Sequence, residues 1–319
     1  MKTIGVLTSG GDAPGMNAAI RAVVRYGIYN NINVLGIKKG YRGLIENDIE
    51  IMNLSSVADI IHRGGTTLGT ARCEKFMTQE GFEEALETIR YRDIDGLIVI
   101  GGDGSFKGAK ELSEAGVKTI GIPGTIDNDL AYTDYTIGFN TALETILDAI
   151  SKIRDTSSSH ERTIIMEVMG RNCGDLALYS GLAGGAEMVL IPEVNIEIEE
   201  VAEKITRGMA RGKKHSIIML AEGAGDAYSI RDQINQHIDV PIRCTVLGYI
   251  QRGGTPVSFD RLLGSRMGAN AVKCLIEGNN NVLLGTKNGE IFDVDIDEAL
   301  NTEKKFDSEA FELTKILSI

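Results

Sequence analysis

The sequence predicts an α/β protein made of two doubly wound, Rossmann-like domains, and three observations carry that reading. Short apolar runs rich in β-branched side chains recur along the chain, the pattern of strands buried on both faces. Several of these runs stop in a turn of glycines, as GLIVIGGDGS does at 96–105. Segments with helical spacing separate the runs, and such alternation marks a parallel sheet covered by helices.

Taken in order, residues 3–7 (TIGVL) read as a buried strand, followed by the turn Thr8, Ser9, Gly10, Gly11, Asp12 and a helix over about 14–29. Pro14 suits a first helical turn, where a missing N–H costs nothing. Residues 34–37 form a further strand, and 55–61 open a helix with Ser-x-x-Asp cap chemistry. After the glycine-rich RGGTTLGTAR at 63–72 come a helix around 83–90, the strand at 97–100, a helix over about 105–114 and a strand at 119–122. A long helix over about 141–154 places Leu143, Ile146, Leu147 and Ile150 on one face. It leads into a second α/β unit with strands at 163–168, 188–191, 216–221 and 245–249, and a final helix near 260–276 returns to the first unit. No low-complexity linker interrupts the chain, and the boundary falls near residue 139.

Composition narrows the function. The 319 residues are 43% hydrophobic, with 38 Gly against 5 Pro, a balance suited to strand-to-helix turns. A formal net charge of −12 argues against holding nucleic acid by the overall field, so an anionic ligand needs local arginines. Cys73, Cys173, Cys244 and Cys274 are scattered without a C-x-x-C pair, which suggests neither a zinc site nor a disulfide framework and fits a reducing cytosol. Met1 leads straight into a strand and no apolar run approaches membrane-spanning length, so the expectation is a soluble, cytoplasmic protein with no membrane partner.

The chemistry centres on two stretches. In 96–105, Gly101, Gly102 and Gly104 strip a turn of side chains, and a helix from Ser105 aims its positive end at the same point, as in a phosphate cradle. Asp103 inside it would repel a bare phosphate and fits best with Mg²⁺ between them; the plain alternative is a tight connection whose Asp caps a helix. The Gly-Gly-Asp turn after the first strand repeats this logic, so two such turns could lie side by side on one sheet edge. In IPGTIDND at 122–129, Asp127 could take the proton of an attacking hydroxyl and Asp129 could support the metal through water, against a solvated acidic loop as the alternative. Arg162, Arg171, Arg243 and Arg252 sit at strand or loop ends. Each alone reads as a surface ion-pair partner, but four in an acidic chain suit a sugar phosphate.

LTSGGDAPGMNA, RGGT, TAR, GGDGS, PGTIDND, GFNTA, MGRNCGD, AEG and QRGGTP, in this order, resemble the bacterial ATP-dependent 6-phosphofructokinases over essentially the whole chain. The resemblance implies transfer of the γ-phosphoryl of Mg-ATP to the 1-hydroxyl of fructose 6-phosphate by a homotetramer. It also implies an ATP-binding domain at 1–138 plus about 252–304 and a fructose 6-phosphate domain at 139–251 plus about 305–319, with the active site in the cleft between them. Position by position, it gives Gly11, Arg72, Cys73 and Gly102, Asp103, Gly104 and Ser105 to ATP, with Asp103 on Mg²⁺. Thr125, Asp127, Asp129 and Arg171 fall to phosphoryl transfer, with Asp127 as proton acceptor. Ile126, Met169, Gly170, Glu222, Ile250, Gln251 and Arg252 line the sugar pocket with Thr125, Asp127 and Arg171, and Arg162 and Arg243 reach the 6-phosphate from a neighbouring subunit. Tyr249 stands where relatives usually carry His, which removes a positive charge and predicts weaker sugar-phosphate binding.

The same resemblance implies an effector site between subunits for ADP or GDP as activator and phosphoenolpyruvate as inhibitor. Its residues would be Arg21, Ala22, Val23, Val24, Arg25, Arg154, Gly185, Ala186, Glu187, Arg211, Lys213, Lys214 and His215, while Leu54 replaces a frequent Arg. Pyrophosphate-dependent relatives carry Asp for Gly104 and Lys for Gly124, so ATP is the expected donor. A pyrophosphate enzyme and a non-catalytic sensor of nucleotide or sugar phosphate stay as alternatives, and a sensor has no use for Asp127. A dinucleotide-binding dehydrogenase fits less well, because neither glycine turn continues as G-x-G-x-x-G.

Overall fold

The computed structural model describes residues 1–318. Its first half runs β1 (Thr3–Thr8), α1 (Met16–Tyr29), β2 (Asn33–Ile37), α2 (Tyr41–Glu46), β3 (Ile49–Met52), α3 (Gln79–Tyr91), β4 (Gly96–Gly101), α4 (Asp103–Glu114), β5 (Thr119–Thr125), β6 (Ile137–Gly138) and α5 (Phe139–His160). Then come β7 (Thr163–Val168), α6 (Asp175–Gly184), β8 (Met188–Leu190), α7 (Ile198–Ala210), β9 (Ser216–Ala221), α8 (Ala227–Ile234) and β10 (Ile242–Val246). The chain closes with α9 (Ser258–Glu277), β11 (Val282–Lys287), β12 (Glu290–Asp295), α10 (Ile296–Asn301) and α11 (Ser308–Leu317). It divides into two compact units: Met1–Ile126, Leu130–Thr141 and Arg252–Lys304 form the first, and Asp127–Asp129, Ala142–Gln251 and Lys305–Ile319 the second.

The first unit holds a sheet in the order β12-β11-β5-β4-β1-β2-β3, with β6 added to β5. Its central strands are parallel, and β3 and β12 close the two edges antiparallel to β2 and β11. Leu97, Ile98, Val99 and Ile100 of β4 are fully buried, which explains why that strand is apolar without alternation. On one face Leu7, Leu97, Val99, Phe106 and Leu112 share a core. Two further helices of the unit, α1 and α9, pack closely because a Cβ on Gly264 would meet Gly15 O at 2.8 Å and one on Gly268 would meet Ala19 O at 2.5 Å.

The second unit has an all-parallel sheet in the order β10-β7-β9-β8. Ile165, Ile218 and Leu220 of its strands pack with Val201, Ile205, Ile230 and Ile234 of α7 and α8. Among the described residues no helix is long and apolar enough to cross a membrane.

Two expected elements are corrected. Residues 55–61 are turns, not a helix: Asn53 Oδ1 accepts from Ser55 N at 2.8 Å and Ser56 N at 3.0 Å, and Ser56 Oγ accepts from Asn53 N. Side chains that satisfy nearby N–H groups in this way offer the backbone an alternative to helix. The strand expected at 245–249 lies instead at Ile242–Val246, and Gly248–Gln251 form a single 3₁₀ turn that begins at Gly248 with φ 54°. Helix starts also shift: α4 opens at Asp103, and α1 opens at Met16 behind Gly15 in a left-handed conformation.

Candidate active site

β4 lies between β1 and β5, all parallel, so the turns that follow them leave the same edge of the first unit's sheet. Ser9 N donates to Ile100 O at 2.9 Å and ties the first two turns together. A Cβ on Gly101 would strike Ser105 Oγ at 2.5 Å and Ser9 O at 2.6 Å, so only glycine lets the turns approach this closely. A Cβ on Gly102 would have only Thr125 near it, at 3.8 Å, and one on Gly104 would meet nothing within 4 Å. The open side of the cradle is thus at 102 and 104.

Asp103 opens α4, where a carboxylate complements the helix dipole, and pairs with Lys107 at 2.8 Å on a largely exposed surface. Ser105 is fixed from behind by Tyr41, whose Oη donates to Ser105 O at 2.5 Å while its ring stacks on Phe76 at 4.2 Å. Burial pushes the Tyr41 phenol well above its ordinary value, so it stays a donor.

The segment 63–72 is laced to the first glycine turn by contacts that sequence reading missed. Thr70 Oγ1 donates to Gly10 O at 2.7 Å, and Thr8 Oγ1 donates to Gly69 O at 2.9 Å. Asn17 holds Arg63 O at 3.0 Å and Thr67 N at 2.8 Å. The polar Asn17 on a buried helix face was the available signal. Arg72 is exposed and Cys73 half-buried at the end of this segment. Arg252 belongs to the first unit; its guanidinium lies against Gly11, with Nη1 3.4 Å from Asp12 O.

Beyond β5 the chain stays buried: Thr125 is 8%, Ile126 0%, Asp127 2% and Asn128 4% exposed. Thr125 O accepts from Thr136 Oγ1 at 2.7 Å. In the second unit, Arg171 has φ 55°; its N donates to Glu222 Oε1 at 2.8 Å and its Nη1 lies 3.4 Å from Asp129 Oδ2. Met169 N donates to the side chain of buried Gln251 at 3.1 Å, and Gly170, at φ 131°, packs against Cys173 O. Tyr249 and Ile250 are 82% and 58% exposed. Arg243 is exposed, and Arg162 half-buried, its N donating to Ser157 O at 3.2 Å.

Of the expected effector residues, the structure brings several together in the second unit. Arg154 Nη2 donates to Gly184 O at 2.6 Å and Gly185 O at 2.9 Å, and buried Glu187 accepts from Lys213 Nζ at 2.9 Å and from Ile217 N. Ala186 is buried, Arg211 exposed, His215 half-buried, and Lys214 is paired with Glu161 at 2.6 Å, which raises its pKa. On α1, Arg21 and Ala22 are half-buried and Arg25 exposed, but Val23 and Val24 are fully buried. The side chains of those two valines belong to the core.

Among the described residues no group of three or more His, Cys, Asp and Glu is arranged to hold a metal. A Mg²⁺ ion bound through one or two carboxylates plus phosphate oxygens needs no such group, and an exposed Asp103 beside an open glycine wall fits that mode.

Parallel sheets in both units and stripped turns at one sheet edge define an α/β protein of the phosphate-handling class. A phosphofructokinase family model matches residues 3–275. ATP-dependent 6-phosphofructokinases of Alkaliphilus metalliredigens and Clostridioides difficile are 64% and 60% identical over 319 residues, covering 100% of this chain and of each relative. A phosphofructokinase structure from Saccharomyces cerevisiae superposes with TM-score 0.89 at 35% identity, covering 100% of this chain and 48% of the yeast chain. A pyrophosphate-dependent phosphofructokinase from Marinobacter aquaeolei shares the fold at TM-score 0.86 and 22% identity, covering 99% of this chain and 91% of its own. The chain belongs to the phosphofructokinase family.

Proposed function

We propose that this chain transfers the γ-phosphoryl group of ATP to the 1-hydroxyl of D-fructose 6-phosphate, giving fructose 1,6-bisphosphate and ADP, the committed step of glycolysis in the cytoplasm. The observation that carries this reading is Asp127, a 2% exposed carboxylate directly after β5 in a chain 64% identical to a full-length ATP-dependent 6-phosphofructokinase. A carboxylate kept from bulk water accepts a hydroxyl proton as the O–P bond forms. Thr125 positions the transferring group, and Arg171 with Asp129 sets a guanidinium where negative charge builds up. Gly11, Arg72, Cys73 and residues 102–105 take the nucleotide, and Met169, Glu222, Tyr249 and Arg252 take the sugar, with Arg162 and Arg243 serving a neighbouring subunit of a homotetramer. Mg²⁺, held by Asp103 and the phosphates, supplies charge neutralisation.

The donor choice rests on two glycines. Gly104 leaves open space that a nucleotide can use, and a side chain on Gly124 would meet Ile100 Cγ2 and Met16 Cε at 3.0 Å, so a lysine there does not suit this core. For the effector site we propose ADP or GDP and phosphoenolpyruvate, held by the side chains of Arg21, Arg25, Arg154, Arg211, Lys213 and His215 around Glu187. Purified protein with fructose 6-phosphate and Mg²⁺, given ATP or pyrophosphate, tests the reading: turnover is expected with ATP only. Asp127→Asn is expected to keep ATP and sugar-phosphate binding and to lose about 10²–10⁴-fold in kcat. A variant that turns over normally removes Asp127 from the reaction, and a wild type silent with both donors leaves a sensor.

A further inference from the structure

Two successive residues after β5, Asn128 and Asp129, are held by the loop that precedes α6 and by the first residue of that helix. Asn128 Nδ2 donates to Asp175 Oδ2 at 2.9 Å in a buried contact, Asn128 O lies 4.0 Å from the Cys173 thiol, and Asp129 pairs with Arg171 at 3.4 Å. Asn128 also carries φ 52°, a left-handed backbone that Asn tolerates better than most side chains. That conformation sets the direction in which the carboxylates on either side of it leave the chain. Asp175 is 7% exposed and sits in the first turn of α6, where the helix dipole favours its negative charge and the rigid helix fixes its position.

We propose that Asn128 and Asp175 are positioning residues: the buried amide-to-carboxylate bond locks the left-handed turn that aims Asp127 and Asp129. The proposal rests on the phosphoryl-transfer reading and adds to it two residues that touch no substrate. In this chain PGTIDND supplies the carboxylates and MGRNCGD the clamp that orients them. A base misplaced by about 1 Å costs on the order of 10²-fold in rate, whereas binding groups elsewhere are untouched.

The experiment compares Asn128→Gly, Asp175→Ala and Asp175→Asn with wild type in kcat, both KM values and thermal unfolding. Asn128→Gly keeps the left-handed backbone without strain and removes the side-chain bond to Asp175. It is expected to lower kcat by about 10- to 100-fold with KM for ATP and fructose 6-phosphate within about twofold. Asp175→Ala should match it, the double variant should be no slower than either single one, and Asp175→Asn, which still offers an oxygen to the amide, should recover kcat to within about threefold of wild type. If Asp175→Ala does not fold, Asn128→Gly and Asp175→Asn carry the test. Asn128→Gly with wild-type kcat, a rise in KM alone, or an Asp175→Asn variant as slow as Asn128→Gly overturns the clamp. Asp127→Asn run beside them separates the two readings: if it retains turnover the base assignment fails, and if it alone is inactive only the clamp fails.

Discussion

Replacing Asp260 offers a severe test of how the first unit is assembled. This residue of α9 is fully buried and accepts from Gly138 N at 2.9 Å, Thr141 N at 2.8 Å and Thr141 Oγ1 at 2.6 Å, so it caps the start of α5 from outside that helix. Asp260→Ala strands two buried N–H donors at about 1–3 kcal/mol each, and removal of a buried charge offsets part of that. The net loss is about 3 kcal/mol, or a fall in Tm of about 6–12 °C for a folding unit of this size. Asp260→Asn keeps one oxygen for Thr141 but sets its NH₂ against Gly138 N–H, donor against donor, so it costs about 1–3 kcal/mol. Scanning calorimetry reads both, and an Asp260→Ala transition within about 2 °C of wild type would refute the account.

The same residue gives a pH dependence. Burial pushes the Asp260 carboxyl above its ordinary 3.8, and the bonds from Thr141 and Gly138 counter that only in part. The folded chain therefore binds its proton more tightly than the unfolded chain, and wild-type stability falls as pH rises from 3.8 through the raised value. Asp260→Asn cannot ionise there, so its deficit against wild type should narrow over that interval.

Tyr41→Phe keeps the stacking on Phe76 but removes the side-chain donor to Ser105 O; urea unfolding should show a loss of about 1 kcal/mol. Asp95 accepts from Lys2 N and Thr3 N, which holds its carboxyl below 3.8, so Asp95→Asn should destabilise at pH 7 by about 0.5–1 kcal/mol, discounted for solvent screening, and the difference should vanish as pH falls through the depressed value. Tyr249→His should lower KM for fructose 6-phosphate by restoring a positive charge below neutral pH, and an unchanged KM would show that an 82% exposed side chain plays no part in binding.

What could be read from the sequence follows from burial. β4 and β9 are buried at every position, so their apolar runs mark them almost to the residue. β3 and β12 are partly exposed edge strands, Ile49–Met52 and Glu290–Asp295, and their mixed composition gives no such signal. The helix expected at 55–61 failed because Asn53, outside the expected cap, closes the turns. At the site, the glycine turns and Asp127 are local features and legible, whereas the bond from Asn128 to Asp175 joins residues 47 apart and emerges only from the fold. On α1, helical periodicity turns Val23 and Val24 into the core while Arg25 stays exposed.

The two antiparallel borders of the large sheet differ in how they resist stray pairing. β12 carries Glu290, Asp293 and Asp295, acidic side chains that discourage another chain from adding on. β3 has Glu50 as its single charge, tied to Lys38 at 2.6 Å, next to an Ile51 that is 77% exposed. By the same reasoning β3, not β12, is the border that invites stray pairing when heat loosens the protein.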